Sequence, residues 1–349
     1  MKYLITGGAG FVGSNLAESL LKDGHEVIVI DNLSRAGSKY GLKRLIKHSK
    51  FTFHKRNICF AGPIIKSTKN LDAIYHLAAQ VAVTTSYDNP TKDFRINACG
   101  TATVVNNAGN IPVIYASTNK VFGDNVNLVP IKELKTRYDF DGELQGKGIS
   151  DKFSIDAQHH TPYGCSKLAG DICVRDRGGI VNRFSCMYGI NQFGNSDQGW
   201  VSHFIISEIL KKPIEIFGDG KQVRDLLYID DVVRLLRKEA DMADGIRGEA
   251  FTIGGGYNKT TSLLELCDIL NTDNLTFKEW RPADQKVYYS DISKAMMVLG
   301  WGPKVNVETG VKLLYAWAKE NKDLLIKIAE EEGKAKKTTN ENIGRPSCV

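Results

Sequence analysis

The chain has 349 residues, enough to bury a substantial core in one large domain or two intimate ones. Hydrophobic residues make up 42% and charged residues 25%, the balance of an ordinary soluble globular protein. The net charge of +6 suits an anionic substrate, but the basic residues are dispersed and match no nucleic-acid module, and no apolar run is long enough to span a bilayer.

The first strand signal, 2–5, is followed by Thr6-Gly7-Gly8-Ala9-Gly10-Phe11-Val12-Gly13 and a helical pattern over 11–23. That order points to a dinucleotide site. Gly7 permits a tight turn, Gly10 lets the backbone approach a pyrophosphate, and Gly13 lets helix and strand pack closely. The helix start, Phe11 and Val12 included, turns its free N–H groups and positive dipole end toward the phosphates. A second strand, 26–30, ends in Asp31, an acid placed to hold both hydroxyls of an adenosine ribose, with Asn32 beside it. A carboxylate there repels a 2′-phosphate, so the expected cofactor is NAD rather than NADP.

Further strands read at 51–54, 73–77 and 112–116, with helices at 40–48 and 91–108. The alternation predicts an α/β fold, a Rossmann-type doubly wound parallel sheet with helices on both faces. The stretch 126–160 has little regular apolar periodicity and reads as a long loop able to fold over a substrate. A helix at 163–176 and a strand at 180–184 close the dinucleotide-binding domain, 1–188. From Gly189 the pattern turns mixed, with helices at 199–211, 230–241 and 262–270 and strands around 214–217, 250–253 and 287–289. It predicts a smaller, discontinuous α/β substrate-binding lobe over 189–320. A short amphipathic helix at 322–332 precedes a polar tail, 333–349, expected to be flexible.

The seven cysteines are scattered, odd in number and without a CxxC pair. They predict reduced thiols in a cytoplasmic protein and neither zinc nor a disulfide framework; no metal site is expected. The first strand begins at residue 2, which is read as leaving no room for a signal peptide.

The strongest catalytic signal is Pro162-Tyr163-Gly164-Cys165-Ser166-Lys167. Pro162 suits a helix start, and Tyr163 and Lys167 at i,i+4 then share a helix face. An ammonium beside a phenol lowers its pKa toward neutrality, giving a base that takes a proton from a sugar hydroxyl while hydride leaves the same carbon. Taken alone, the pair reads equally as a half-exposed surface contact. That reading weakens beside Tyr115-Ala116-Ser117-Thr118-Asn119-Lys120-Val121-Phe122-Gly123, at the C-terminal end of an inner strand where ligands sit. There Thr118 offers a hydroxyl to orient the reacting oxygen, with Ser117 its neighbour.

Over residues 1 to about 318 these features together resemble the extended short-chain dehydrogenase/reductase family, whose members modify nucleotide sugars. The resemblance implies Thr118, Tyr163 and Lys167 as catalytic residues, Tyr163 and Lys167 also contacting NAD. It implies that His76-Leu77-Ala78-Ala79-Gln80 runs beside the nicotinamide, that Asn57 and Ile58 lie at the cofactor, and that Asn97 shapes the catalytic helix. Gln80, Thr118, Asn119, Gln198, Arg224 and Arg281 would then contact the nucleotide sugar, the arginines by bidentate contact with its diphosphate. For Arg281 a surface ion pair remains open.

In the family's 4,6-dehydratases an Asp-Glu pair follows the threonine, because removing water needs a further acid and base. Asn119 and Lys120 stand there instead, so dehydration and decarboxylation are disfavoured and epimerisation remains. Gln80 to Ser86, Tyr163 to Lys167, Asp197 to Trp200 and Gly220 to Asp225 are similar to a narrower branch that inverts C2 of CDP-linked hexoses. This likeness implies transient oxidation at C2 without net redox, and a product destined for a cell-surface polysaccharide. A UDP-hexose 4-epimerase, an epimerase of another nucleotide sugar, and a silent dinucleotide sensor stay as alternatives, the last disfavoured by the intact triad. Phe122 replaces the family's usual tyrosine, Asn57 an adenine-facing acid, and Cys186 an Asn or Ser near the sugar phosphates. The helices after Lys167 and before Ile111, which build the family's dimer interface, are short; a homo-oligomer is still expected.

Overall fold

The computed structural model describes residues 1–156, 158–281 and 283–331. In chain order the first part runs β1 (Lys2–Thr6), α1 (Phe11–Lys22), β2 (Glu26–Asp31), α2 (Ser38–Leu45), β3 (Phe51–Lys55), α3 (Gly62–Ser67), β4 (Ala73–His76), α4 (Val83–Asp88), α5 (Pro90–Phe94), α6 (Gly100–Ala108) and β5 (Val113–Thr118). A run of 3-10 turns, Asn119–Leu128, leads to β6 (Ile131–Glu133), β7 (Tyr138–Phe140), α7 (Pro162–Asp176), β8 (Ile180–Phe184) and β9 (Cys186–Tyr188). Then come α8 (Trp200–Ile209), β10 (Ile214–Phe217), β11 (Val223–Tyr228), α9 (Ile229–Asp241), β12 (Ala250–Ile253), β13 (Thr260–Ser262), α10 (Leu263–Leu270), β14 (Leu275–Lys278), β15 (Val287–Tyr288), α11 (Ser293–Leu299) and α12 (Val307–Glu320).

Seven strands form one parallel sheet in the order β12-β8-β5-β4-β1-β2-β3. Their near-continuous apolar runs follow from burial on both faces. Tyr3 and Ile5 of β1 and Val27 and Val29 of β2 face a core shared with Leu16, Ala17 and Leu20 of α1 and Val232 and Leu235 of α9. Leu4, Ile28 and Ile30 face the opposite core, with Ile65, Val104, Val105 and Val174 from α3, α6 and α7. The strand order reverses between β1 and β4, which places a ligand crevice beyond their C-terminal ends.

The second lobe is built on β11, which pairs with β13, β15 and β9, and on the parallel pair β10 and β14. Three sequence expectations change here. Ala250–Ile253 is the outermost strand of the main sheet, paired with β8, because its four buried residues complete the cores on both faces. The stretch 126–160 carries the hairpin β6–β7, and its Val126, Tyr138, Phe140 and Ile149 pack against Val287, Tyr288 and Tyr289. Its apolar residues are too sparse for a periodic signal, yet they build a third core. The helix expected over 91–108 is α5 and α6 joined through a π turn at Arg95–Cys99.

Strand β11 was hidden from periodicity by Arg224 and Asp225, though all six of its residues are buried. Helix α12 and the short α4 were likewise not anticipated. Residues 322–331 are helical, and the tail expected at 333–349 lies outside the described residues. Among the described residues no helix is long and apolar enough to cross a membrane.

One buried carboxyl carries a measurable signature. Glu239 of α9 is wholly buried against β8 and accepts a 2.8 Å hydrogen bond from Asn182 Nδ2. Burial pushes its pKa up to about 8, with Asn182 opposing. The group is neutral in the folded state and ionised in the unfolded chain between those two pKa values, so folding stability falls as pH rises through that window. Glu239→Gln keeps the shape and the acceptor; its Tm should match wild type near pH 5 and exceed it by pH 8. A parallel pH dependence of the two proteins between those limits would refute the assignment.

Candidate active site

The glycine turn has the geometry of a phosphate cradle. Gly7 sits at φ +70°, and a Cβ there would stand 2.7 Å from Ala78 N. A Cβ on Gly13 would stand 2.3 Å from Gly7 O, so α1 and β1 meet at van der Waals closeness. A Cβ on Gly10 would meet only Gly7 O, at 3.2 Å, and Gly10 caps α1 with no side-chain acceptor, so the first-turn N–H groups of Phe11 and Val12 have no cap and are available to an anion. Asp31 Oδ2 accepts from Ala9 N at 3.1 Å and Oδ1 from Leu33 N at 2.8 Å, which fixes the carboxylate and leaves each oxygen a further lone pair. Burial raises its pKa and the two amides lower it. Asn32 and Asn57 line one hollow with Lys55, Arg56 and Phe60. The Ile58 side chain lies in the core against Gly100. These residues fit a dinucleotide.

The loop after β4 is tied down from three sides. Leu77 N donates to Thr6 O at 3.1 Å and Ala78 N to Thr6 Oγ1 at 3.3 Å, with Ala79 following. Asn97, in the π turn, accepts from Gln80 N at 2.8 Å and donates to Gln80 O at 3.1 Å. The Gln80 side chain is engaged locally with Ala82 and Thr85, so the loop is braced before any ligand arrives. His76 is wholly buried between Thr6 Oγ1 and Thr101 Oγ1, at 2.7 and 2.9 Å. Burial and then the charge of Lys167 pull its pKa down to about 3, so it is neutral.

Helix α7 starts at Thr161, whose hydroxyl accepts from Gly164 N at 2.9 Å, with Pro162 in the first turn. A Cβ on Gly164 would lie 2.7 Å from Lys120 O, so only glycine lets the helix seat against the turn that follows β5. This contact brings Tyr163 alongside Thr118, close enough for the threonine hydroxyl to favour the ionised phenol. Both side chains are nearly buried. Burial pushes Tyr163 up to about 12, with Thr118 opposing and Asp93 adding.

The expected ammonium on the phenol is not found. Lys167 shares the helix face but reaches past Tyr163 to the strand, donating to Ala116 O at 2.6 Å with Nζ 4.0 Å from the Tyr115 ring centroid. Burial pulls its pKa down to about 7, against Asp171 and Asp93. Burial is the largest influence on the phenol, ahead of Thr118 and Asp93.

Asp93, Ser166, Asp171 and Arg183 are structural partners that the sequence reading missed. Ser166 Oγ donates to Asp93, and Asn97 Nδ2 bonds Ser166 Oγ at 3.0 Å, locking α5, the π turn and α7 together. Asp171 takes Arg183 Nε at 3.0 Å and Ser117 Oγ at 3.1 Å, pinning α7 to β8 and β5. Ser117 and Thr118 therefore face opposite sides of the strand end. The available signal was spacing: Asp171 lies four residues beyond Lys167, and Asp93 four before Asn97.

From the second lobe, Arg224 Nη2 pairs with Asp284 Oδ1 at 2.6 Å. Lys120 Nζ reaches Gln285 Oε1 at 3.3 Å, its pKa pulled down to about 8 by burial first and Arg224 second. Asn119 is buried and accepts from Thr118 Oγ1 at 3.3 Å. Arg281 lies 3.9 Å over the Phe217 ring and bonds Ser196 O at 2.7 Å rather than an acid. Gln198, expected at the substrate, accepts from Arg35 Nη2 at 2.8 Å, while Asp197 accepts from Thr84 Oγ1 at 3.2 Å. The segment 195–198 thus bridges the loop after β2 and helix α4. Among the described residues no group of three or more His, Cys, Asp or Glu could hold a metal.

The model of the NAD dependent epimerase/dehydratase family matches residues 3–254. The chain is 40% identical over 339 residues to CDP-paratose 2-epimerase of Salmonella typhi, covering 91% of this chain and 99% of that protein. It is 29% identical to a putative UDP-glucose 4-epimerase of Methanocaldococcus jannaschii, covering 91% and 98%. Among solved structures, UDP-glucuronic acid 4-epimerase of Bacillus cereus with UDP-glucuronic acid and NAD is similar at TM-score 0.76 and 27% identity, covering 92% of this chain and 99% of that one.

The buried Arg183–Asp171 pair is the test of how α7 is held. Arg183→Leu leaves the Asp171 carboxylate without its cation, and removing one partner of a buried pair destabilises by about 3–5 kcal/mol. Urea unfolding should show that loss; a change below ~1 kcal/mol would mean that α7 is seated by packing alone.

Proposed function

The chain belongs to the NAD dependent epimerase/dehydratase family, and on that premise we propose that it is an isomerase converting CDP-paratose to CDP-tyvelose by inverting C2. The observation that carries this reading is the buried Thr118–Tyr163 contact at the end of β5, followed by Asn119 and Lys120. Those two positions hold no carboxylate to protonate a leaving hydroxyl or to strip a second carbon, so the residues serve oxidation and its reversal. The likeness to the Salmonella typhi enzyme over nearly its whole length supports the choice of base and carbon.

Gly7, Gly10, Phe11, Val12 and Gly13 would hold the NAD diphosphate, Asp31 the ribose, and Leu77 to Gln80 the nicotinamide side; bound there, NAD supplies a hydride acceptor and its return, without net redox. Tyr163 takes the proton of the C2 hydroxyl and returns it to that same oxygen once C2 is inverted. Thr118, whose hydroxyl lies beside the phenol, orients that oxygen. Lys167, one turn along α7, is the cation that stabilises the phenolate when its tie to Ala116 O loosens. Arg224 receives the diphosphate as its pair with Asp284 gives way, with Arg281 as the second guanidinium. The site would take a nucleotide sugar in the cytoplasm, in keeping with six described cysteines that are all free thiols. A homo-oligomer is part of the proposal, carried over from the family resemblance.

Tyr163→Phe removes the general base while keeping the ring that fills the site. Turnover of CDP-paratose should fall by roughly 10²–10⁴-fold, the usual contribution of a positioned proton carrier. NAD released on denaturation should equal that of wild type. Full turnover in this variant would overturn the assignment.

A further inference from the structure

Lys120 is not used by the mechanism above, yet its surroundings are specific. Its backbone is locked to the catalytic groups on both sides: its N–H donates to Thr118 Oγ1 at 3.3 Å, and its carbonyl packs under Gly164 next to Tyr163. Its side chain leaves the strand end for the second lobe, where Nζ stops at Gln285 Oε1, a neutral partner, at 3.3 Å. Arg224 and Asp284 stand beside it, but Arg224 takes the Asp284 carboxylate for itself at 2.6 Å. Among the described residues no carboxylate lies within 4.0 Å of Lys120 Nζ. Lys120, Arg224 and Asp284 together sum to one positive charge, and among the described residues no direct ion pair takes the Lys120 ammonium; Asp124 acts on it only from beyond ion-pair distance. An ammonium held out of water beside a guanidinium, with no carboxylate in direct contact, is unfavourable: burial first and Arg224 second lower its pKa to about 8, and an anionic ligand relieves both.

We propose that Lys120 binds the phosphate attached to the anomeric carbon of the nucleotide sugar and so seats C2, rather than C4, against Tyr163 and Thr118. The proposal rests on the epimerase reading of the site. Its chemistry is a matter of span. In a C2 reaction the reacting carbon is the direct neighbour of the carbon that bears the phosphate; in a C4 reaction it lies across the ring. A phosphate-binding cation rooted two residues from Thr118, with its carbonyl against the catalytic helix, shortens the distance between reacting oxygen and phosphate. Arg224 stands beside the same ammonium but is rooted on β11 of the other lobe, so it does not tie the phosphate to the Thr118 end of β5. Gln285 then acts as the rest that holds the ammonium toward the second lobe, and Lys120 is a positioning and specificity residue rather than a proton carrier.

The test uses the full chain with its bound cofactor, titrated calorimetrically with CDP, UDP, GDP, dTDP and the uncharged nucleoside cytidine. Wild type should bind CDP best. Lys120→Met should weaken CDP by about tenfold or more, the scale of a hydrogen bond to a charged group, and leave cytidine unchanged. Lys120→Arg, which keeps the charge, should hold CDP affinity within about threefold of wild type, on the same scale. With CDP-paratose, Lys120→Met should raise KM and also lower kcat at saturation, because the sugar is bound but no longer seated at C2. Unchanged CDP affinity in a folded Lys120→Met protein, or equal losses for CDP and cytidine, would overturn the phosphate contact. An unchanged kcat would overturn the seating. If wild type binds none of the four nucleotides, the epimerase reading falls and this proposal falls with it.

Discussion

The approach of α7 to the end of β5 is the constraint on which the site depends. At Gly164 the helix comes so close to Lys120 O that no side chain fits between them. Because Tyr163 precedes that glycine and Thr118 lies just before the turn it packs on, one contact sets the separation of the two reactive oxygens. The rest of the molecule reads as support for it. Asp171 and Arg183 tie the middle of α7 to β8 and β5, and Ser166 with Asp93 and Asn97 ties its first turns to the π turn. The π turn has its own consequence. It turns Asn97 so that one amide grips Gln80 and Ser166 together, coupling the loop after β4 to the catalytic helix.

Desolvation dominates the electrostatics of this region. His76 is held neutral, the Tyr163 phenol is pushed away from ionisation, and Lys167 is brought to about 7 by burial before any neighbour acts. The site in this state is thus a set of groups poised near neutral forms. Added charge in such an interior has large effects, because little water remains to screen it. A diphosphate and a cationic ring are the kinds of charge that would move these groups, which is why the ammonium of Lys120, set against a neutral partner, carries weight.

The second lobe contributes its cations through a sheet that the dinucleotide-binding half does not contain. Arg224 lies in β11 between strands drawn from three separate stretches, and Arg281 rests on Phe217 of β10. The turn 195–198 reaches back across the crevice to Arg35 and Thr84, so the two halves are joined over the groove rather than only at its floor.

What the sequence determined by itself is whatever depends on local order. The glycine string after β1, the acid closing β2, the apolar runs of the central strands and the four-residue spacing of Tyr163 and Lys167 are all written within a few residues of one another. They gave the α/β class, the cradle and the helix that bears the tyrosine. Only the tertiary structure decided the rest. It took Ala250–Ile253 out of the smaller lobe and into the main sheet, because a strand's sheet is chosen by which partner edge is free and not by its own pattern. It sent Lys167 to Ala116 O instead of Tyr163, since a long flexible side chain goes to the nearest buried acceptor, and here that acceptor belongs to a strand distant in sequence. It gave Gln198 to Arg35, put the Ile58 side chain in the core, and set Lys120 against the neutral Gln285 rather than a carboxylate. Each of these is settled by packing between segments far apart in the chain, where spacing along the sequence carries no information about distance in space.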